Sequence, residues 1–169
     1  MRIMVPEKSQ LDGIENRFVK LLKDRKMHVA TAESVTGGLV SKLITDVSGA
    51  STIFECGVCS YSNRIKNRVL NVGLRTLDMY TEYSEECAIE MALGVRMLSG
   101  ANIGISTTGI AGTGGTKEKP AGTVYIGIST EHDYYAYEIR IDAGVGRSEI
   151  RRISAKCALY FAYEILKRY

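Results

Sequence analysis

The order of helix-type and strand-type segments restricts the fold of this chain more than any single motif does. Apolar residues recur at helical spacing over residues 10–26, with Ser9 or Asp12 as a possible cap, and a strand pattern follows at 27–31. The remaining predicted elements are a helix from 39 to about 46, a buried strand at 52–62, helices at 63–70 and 84–100, strands at 102–107, 122–130 and 134–141, and a helix at 147–167. The last two strands form an antiparallel hairpin. This order predicts an α/β protein, a single three-layer α/β/α sandwich with a mixed β-sheet.

Chain length, composition and charge limit both the number of domains and the classes of function that the chain could have. With 169 residues, 45% of them hydrophobic and 24% charged, the composition fits one domain over 1–169 with a full core. The net charge of +3 is small, and the acidic and basic residues are interleaved, which argues against nucleic-acid binding.

The sequence shows no secretory signal and no apolar run of about 20 residues. We therefore expect a cytoplasmic protein without membrane contact and, as for many small enzymes, a homo-oligomer.

The cysteines and histidines argue against several catalytic mechanisms. Cys56 and Cys59 are separated by an odd number of residues within a strand, so their side chains point to opposite faces and do not share a metal or a disulfide. We expect all four cysteines to be reduced core thiols. The two histidines, His28 at a strand entrance and His132 in a turn, are poorly placed for catalysis. A serine–histidine hydrolase and a zinc hydrolase are therefore disfavoured, and no metal or cofactor is expected.

Two glycine-rich segments follow predicted strands and are the candidates for ligand binding. Ser34 is followed by Thr36, Gly37 and Gly38 at the start of a helix, where free N–H groups favour a phosphate or an oxyanion. The second segment covers 108–116, and both could open into one crevice at the strand ends. Neither segment has the pattern of a dinucleotide-binding or Walker loop. Ser34 is thus either a helix cap or a nucleophile.

A nucleophilic serine needs a base, and the sequence offers more than one. Lys66 follows a predicted buried strand and could serve if its pKa were lowered, although its spacing alone fits a solvated helix residue better. Glu33, next to Ser34, is an alternative base, a group that orients substrate, or a salt-bridge partner. Arg147 opens the last helix, where its planar guanidinium could bind a phosphate or simply be a surface charge.

Five separate blocks of the sequence resemble one known family. They are 32–38, 60–63 with Lys66, 84–86, 108–116 and 119–124, and they match in order and spacing across nearly the whole chain. The chain is thereby identified as a member of the CinA C-terminal domain family. The resemblance implies a three-layer fold with a mixed sheet and a nicotinamide-nucleotide amidohydrolase activity that converts nicotinamide mononucleotide to nicotinate mononucleotide and ammonia.

The resemblance also implies roles for particular residues. Ser34 matches the nucleophile, Lys66 its base, and Tyr61 a neighbour that relays or orients a proton. N–H groups around 36–38 would hold the oxyanion, and the ribose and phosphate would lie along 108–116 with Arg147 as a clamp. The complete set of substrate-binding and oxyanion-binding residues is Glu33, Thr36, Gly37, Gly38, Asn63, Thr108, Gly109, Ala111, Gly112, Gly114, Gly115 and Arg147. The expected partner is a small nucleotide substrate.

The chain departs from the family pattern in ways that keep other functions open. Val35 stands where relatives usually have cysteine, Thr113 where proline is usual, residues 81–83 read Thr-Glu-Tyr in place of Gly-Ala-Val, and Gly146 replaces an aspartate. A catalytically silent nucleotide-binding module, or an interaction module linked to competence or recombination, is the alternative. Longer members carry an N-terminal nucleotide-processing domain, and we expect this chain to be a stand-alone version.

Overall fold

A five-stranded mixed sheet forms the centre of the protein. The computed structural model describes residues 2–112 and 114–168. The strands are β1 (Val29–Glu33), β2 (Phe54–Cys59), β3 (Ile103–Gly109), β4 (Thr123–Ser129) and β5 (Tyr134–Arg140), and they lie in the order β2-β1-β3-β4-β5. β1 pairs in parallel with both β2 and β3, whereas β4 is antiparallel to β3 and to β5. The predicted mixed sheet and its terminal hairpin are confirmed.

Helices cover both faces of the sheet and complete the three predicted layers. The helices are α1 (Lys8–Leu11), α2 (Ile14–Arg25), α3 (Leu39–Thr45), α4 (Asn63–Leu70), α5 (Leu74–Tyr80), α6 (Glu85–Ser99) and α7 (Arg147–Leu166). The contacts of α7 with α1, α2 and α3 define one layer, and those of α6 with α4 and α5 define the other. Within the described part of the chain, no helix has both the length and the apolar character needed to cross a membrane.

Each face of the sheet buries its own apolar core. Phe18, Ile105 and Leu159 belong to the larger core, which lies under α2 and α7. Leu70 and Met91 belong to a smaller core under α4 and α6. At roughly 1.5–3 kcal/mol for each fully buried large side chain, the larger core supplies more of the hydrophobic free energy of folding.

The first predicted helix is divided in the structure. Gly13 has a φ of 67° and separates α1 from α2, because a left-handed residue cannot continue a right-handed helix. Ser9 lies inside α1 and Asp12 ends it, so neither residue caps the predicted helix. α5 is an element that the periodicity did not predict, since Thr76 is its one buried residue and it has no buried apolar stripe.

The strand predicted within 52–62 is confirmed as β2, but the prediction that it is buried is wrong. β2 is an edge strand, and its residues alternate between half-buried and exposed. Cys56 and Cys59 do face opposite sides, but Cys56 is half-buried and Cys59 is exposed, so neither is a core thiol. Cys87 and Cys157 are buried as expected. A run of small apolar residues cannot by itself distinguish an edge strand from a central one.

The candidate site lies where the parallel strands end. Glu33, the last residue of β1, is in register with Cys59 on one side and with Thr107 on the other. Because parallel strands end at the same edge of the sheet, the segments that follow β1, β2 and β3 converge there.

Candidate active site

Ser34 lies directly beyond β1 and is fixed by the sheet. Its N–H donates to the carbonyl oxygen of Thr107 at 2.9 Å, which continues the ladder of β1 and β3 by one residue. Its side chain accepts a hydrogen bond from Lys66 Nζ, with 3.1 Å between Nζ and Oγ. Ser34 is only 8% exposed. The serine is therefore a buried hydroxyl in contact with an amine, and it is not a helix cap.

Lys66 reaches this serine from the first turn of α4. Ser62 caps that helix, since its hydroxyl accepts a hydrogen bond from the N–H of Ile65 at 3.3 Å. Lys66 is 1% exposed and also donates to the carbonyl oxygen of Ser60 at 3.0 Å. Burial lowers the pKa of the amine, and the nearby Cys87 and Glu82 oppose that shift. A lowered pKa increases the fraction of neutral lysine, which is the form that can accept a proton.

The structure gives Glu33 a role other than the predicted ones. Its side chain is almost fully buried and accepts hydrogen bonds from Thr36 Oγ1, from Ser41 Oγ and from the N–H groups of Gly38, Val40 and Ser41, at 2.6–3.0 Å. The carboxylate thus occupies the start of α3, where the sequence predicted a site for a bound anion. Glu33 is neither the base nor a ligand-facing acceptor, because its oxygens are already bonded.

The structure also changes which backbone N–H groups are available to an oxyanion, because Glu33 already bonds to one of the predicted donors. The Gly38 N–H is bonded to Glu33, whereas the N–H groups of Val35, Thr36 and Gly37 have no acceptor among the described residues. The Thr36 side chain is buried and bonds to Glu33 and to Thr107. Of these residues only Val35 lines the cavity described below.

Arg151 of α7 holds the segment after Ser34 from the other side. Its Nε donates to the carbonyl oxygen of Val35 at 3.2 Å and its Nη2 to that of Thr36 at 2.8 Å. A Cβ at Gly37 would lie 2.9 Å from Arg151 Nη2, and Gly37 also has a φ of 57°, so both contact and conformation favour glycine here. Arg151 was not predicted, although its spacing of four residues from Arg147 places both on one helix face.

Tyr61 and Arg147 form the outer rim of the site. Arg147 Nη2 donates to the Tyr61 hydroxyl at 3.1 Å. Tyr61 is 67% exposed, and Arg147 is exposed as well. The described hydrogen bonds of Tyr61 lead to Arg147 and not to Ser34 or Lys66. A Cβ at Gly112 would lie 3.1 Å from Arg147 Nη1, so this glycine borders the rim.

A cavity of about 90 Å³ connects these groups. It brings together six predicted site residues, namely Ser34, Tyr61, Lys66, Gly109, Ala111 and Arg147. Val35, Glu82 and Tyr83 also line it and were not predicted as site residues. Its volume suits one small planar group rather than a whole nucleotide, so a larger ligand would extend beyond the rim.

The second glycine-rich segment contributes less to this cavity than the sequence predicted. Thr108 is part of β3, and its fully buried hydroxyl donates to the carbonyl oxygen of Glu82 at 2.7 Å, so it is not available to a ligand. Gly114 and Gly115 are exposed and do not line the cavity. Thr113 lies outside the described residues. Asn63 is also directed elsewhere, because its Nδ2 bonds to Glu82 Oε2 at 3.3 Å.

Over residues 2–112 and 114–168, no group of three or more histidine, cysteine, aspartate or glutamate side chains could hold a metal ion.

The fold and the site define an α/β domain with a buried serine–lysine pair at the carboxyl ends of its parallel strands. A family model described as the CinA C-terminal domain matches residues 11–166, and the chain belongs to this family. The resemblance noted in the sequence is thereby confirmed.

Relatives and solved structures agree with this assignment. The "Putative competence-damage inducible protein" of Thermoanaerobacter sp. (strain X514) is 48% identical over 94% of this chain and 37% of that protein. The "CinA-like protein" of Thermotoga maritima is 46% identical over the same shares. The chain therefore spans just over a third of the length of these relatives.

Two crystal structures have closely similar folds. Competence/damage inducible protein CihA from Agrobacterium tumefaciens has a TM-score of 0.86 at 32% identity, covering 99% of this chain and 98% of that one. Competence damage-inducible protein A (ComA) from Klebsiella pneumoniae has a TM-score of 0.89 at 26% identity, covering 94% and 98%. The predicted fold class is confirmed by these similarities.

Proposed function

We propose that the chain hydrolyses the carboxamide of nicotinamide mononucleotide to give nicotinate mononucleotide and ammonia. The observation that carries the proposal is the 3.1 Å contact between Lys66 Nζ and Ser34 Oγ, both of which belong to buried side chains. A hydroxyl in contact with an amine of lowered pKa is the arrangement that activates a serine nucleophile when no histidine is present.

In the first half of the reaction, neutral Lys66 takes the proton of Ser34 Oγ as that oxygen attacks the amide carbon. The carbonyl oxygen becomes an oxyanion, for which the unbonded N–H groups of Val35 and Thr36 are the nearest backbone donors in sequence. Collapse of this intermediate breaks the C–N bond. Protonated Lys66 returns its proton to the departing nitrogen, so ammonia leaves and an ester on Ser34 remains.

In the second half, water replaces ammonia and reverses the proton movements. Lys66, again neutral, takes a proton from water as the oxygen attacks the ester carbon. The C–O bond to Ser34 breaks, and Ser34 recovers its proton. Nicotinate mononucleotide leaves with a carboxylate in place of the amide. One lysine thus serves both half-reactions as base and then as acid.

The rim supplies the contacts for the rest of the nucleotide. A ring that carries the amide fits the small cavity beside Gly109 and Ala111. The ribose and phosphate then extend toward Gly112, where Arg147 offers a guanidinium suited to a phosphate.

Ammonia release from nicotinamide mononucleotide tests the proposal directly. We expect Ser34→Ala to lower the rate by about 10³-fold or more, because the nucleophile is lost. The matched control is Ser48→Ala, which removes an exposed hydroxyl that does not line the cavity and keeps full activity. A protein that is thermally stabilised by the nucleotide but releases no ammonia would instead be a silent binding module.

A further inference from the structure

Glu82 places a carboxylate in the cavity that contains Ser34 and Lys66. No lysine, arginine or histidine nitrogen lies within 4.0 Å of it in the part of the chain that the structure describes. Its described hydrogen-bond partners are uncharged, namely Asn63 Nδ2 at 3.3 Å and the hydroxyl of Tyr83. The pKa of Tyr83 is raised mainly by burial, and Glu82 raises it further. The carboxylate therefore has no ion-pair partner, and its charge acts on Lys66 from a longer distance, where it opposes the lowering of the lysine pKa by burial.

The backbone that carries Glu82 is held firmly. Thr108 Oγ1 donates to the carbonyl oxygen of Glu82 and Lys119 Nζ to that of Tyr83, both at 2.7 Å. Ser84 Oγ donates to the carbonyl oxygen of Thr81 at 2.9 Å. Thr81 has a φ of 67°, a conformation that costs free energy in a β-branched residue. Glu82 is thus fixed as part of the cavity wall, at the expense of local strain.

The cavity also carries an uncompensated positive charge. Arg147 bonds to the Tyr61 hydroxyl, and no carboxylate lies within 4.0 Å of its guanidinium among the residues described. A negative group and a positive group in one cavity, each without an ion-pair partner in the protein, suit a ligand that carries both charges.

We propose that Glu82 is a specificity-determining residue that selects nucleotides whose amide-bearing ring is cationic. The proposal rests on the proposed function and names its substrate class as pyridinium nucleotides. The cationic ring lies against Glu82, and the phosphate lies toward Arg147. A ring that is reduced by two electrons keeps the amide and the phosphate but has no positive charge, so it loses this attraction.

The same charge acts differently on substrate and product. Hydrolysis turns a neutral amide into a carboxylate at the reacting carbon. The new charge faces Glu82, and like charges repel inside a partly desolvated cavity. Glu82 thus favours binding of the substrate ring and disfavours retention of the deamidated product.

The test measures binding separately from turnover. Calorimetry on Ser34→Ala would compare nicotinamide mononucleotide with its reduced form, with and without Glu82→Gln. We expect Glu82→Gln to weaken binding of the oxidised nucleotide about tenfold and that of the reduced nucleotide less than about twofold. The matched control is Glu86→Gln, which removes an exposed carboxylate four residues along the chain that does not line the cavity and changes neither affinity.

The outcomes separate this proposal from the proposed function. Equal effects of Glu82→Gln on both nucleotides, no effect on either, or no binding of the oxidised nucleotide to Ser34→Ala would overturn the charge-selection proposal. The proposed function fails instead when the unmodified chain releases no ammonia from nicotinamide mononucleotide. Loss of the oxidised-over-reduced preference in Glu82→Gln supports charge selection whatever the turnover of the unmodified chain.

Discussion

Two hydrogen-bonded pairs meet in the same cavity but in opposite surroundings. Ser34 and Lys66 are buried, and further bonds to Thr107 and Ser60 hold them in place. Tyr61 and Arg147 are exposed and have only each other as described hydrogen-bond partners. Burial lowers the pKa of Lys66 and limits the geometry of the inner pair, whereas the outer pair is free to exchange its contact for a ligand. The inner pair is suited to chemistry and the outer pair to recognition.

The largest expected effect comes from removing the inner amine. Lys66→Met fills a similar volume but cannot accept a proton, so we expect kcat to fall by about 10²-fold to 10⁴-fold. Ammonia release measures this, and thermal melting checks that the variant is folded. Lys42→Met, at an exposed position on α3, is the matched control and keeps full activity. If the Lys66→Met variant kept more than a tenth of the normal rate, the assignment of chemistry to the inner pair would be wrong.

The pH dependence of the reaction tests the inner pair without a substitution. Only neutral Lys66 can act as base, so kcat/KM rises about tenfold per pH unit below its pKa and levels off above it. Burial lowers that pKa from its ordinary value of 10.5, while Cys87 and Glu82 oppose the shift, so the plateau begins below pH 10.5. A rate that falls as the pH rises from neutrality would contradict a lysine base.

Substitution in the outer pair should affect binding more than catalysis. We expect Arg147→Ala to raise KM about tenfold with little change in kcat, because an exposed guanidinium that binds a phosphate stabilises substrate and transition state alike. Steady-state kinetics separate the two constants. Arg152→Ala is the control, since Arg152 pairs with Glu149 on the same helix and does not line the cavity. A selective loss of kcat in Arg147→Ala would assign the outer pair to the chemistry.

The smallest expected effect belongs to the other member of the outer pair. Tyr61→Phe removes one exposed hydrogen bond, and we expect changes of about threefold or less in kcat and KM. The proton-relay role that the family resemblance implies for Tyr61 requires a much larger loss of kcat. The same steady-state assay therefore decides whether Tyr61 positions Arg147 or moves a proton.

The sequence contained enough information to predict the layers of the fold and to single out Ser34 and Lys66, which the structure places in contact. Periodicity located the strands and the longer helices, and the family resemblance identified Lys66, whose spacing alone favours a solvated residue. Local pattern could not show that β2 lies at the sheet edge or that Glu33 is bonded to α3. Both facts depend on strand order and on side-chain direction.

Glu82 and Arg151 show why the rest of the site could not be predicted. Each is a charged residue in a segment of mixed polarity. The sequence marks them only indirectly, since Glu82 belongs to the departure from the family pattern at 81–83 and Arg151 lies four residues after Arg147. Glu82 reaches the cavity because Thr108 and Lys119 hold its backbone, and Arg151 meets Val35 across 116 positions of the chain. Contacts of this range arise from tertiary packing and leave no short-range signal.

The contact between Arg151 and the segment after Ser34 has a consequence for the order in which the protein is assembled. α7 follows every strand in the chain, so the ribosome completes the whole sheet before Arg151 emerges. Until then the carbonyl groups of Val35 and Thr36 lack this partner, although Ser34 is bonded to Thr107 of β3 within the sheet. In a nascent chain the backbone after Ser34 therefore gains its last hydrogen bonds only when the final helix docks.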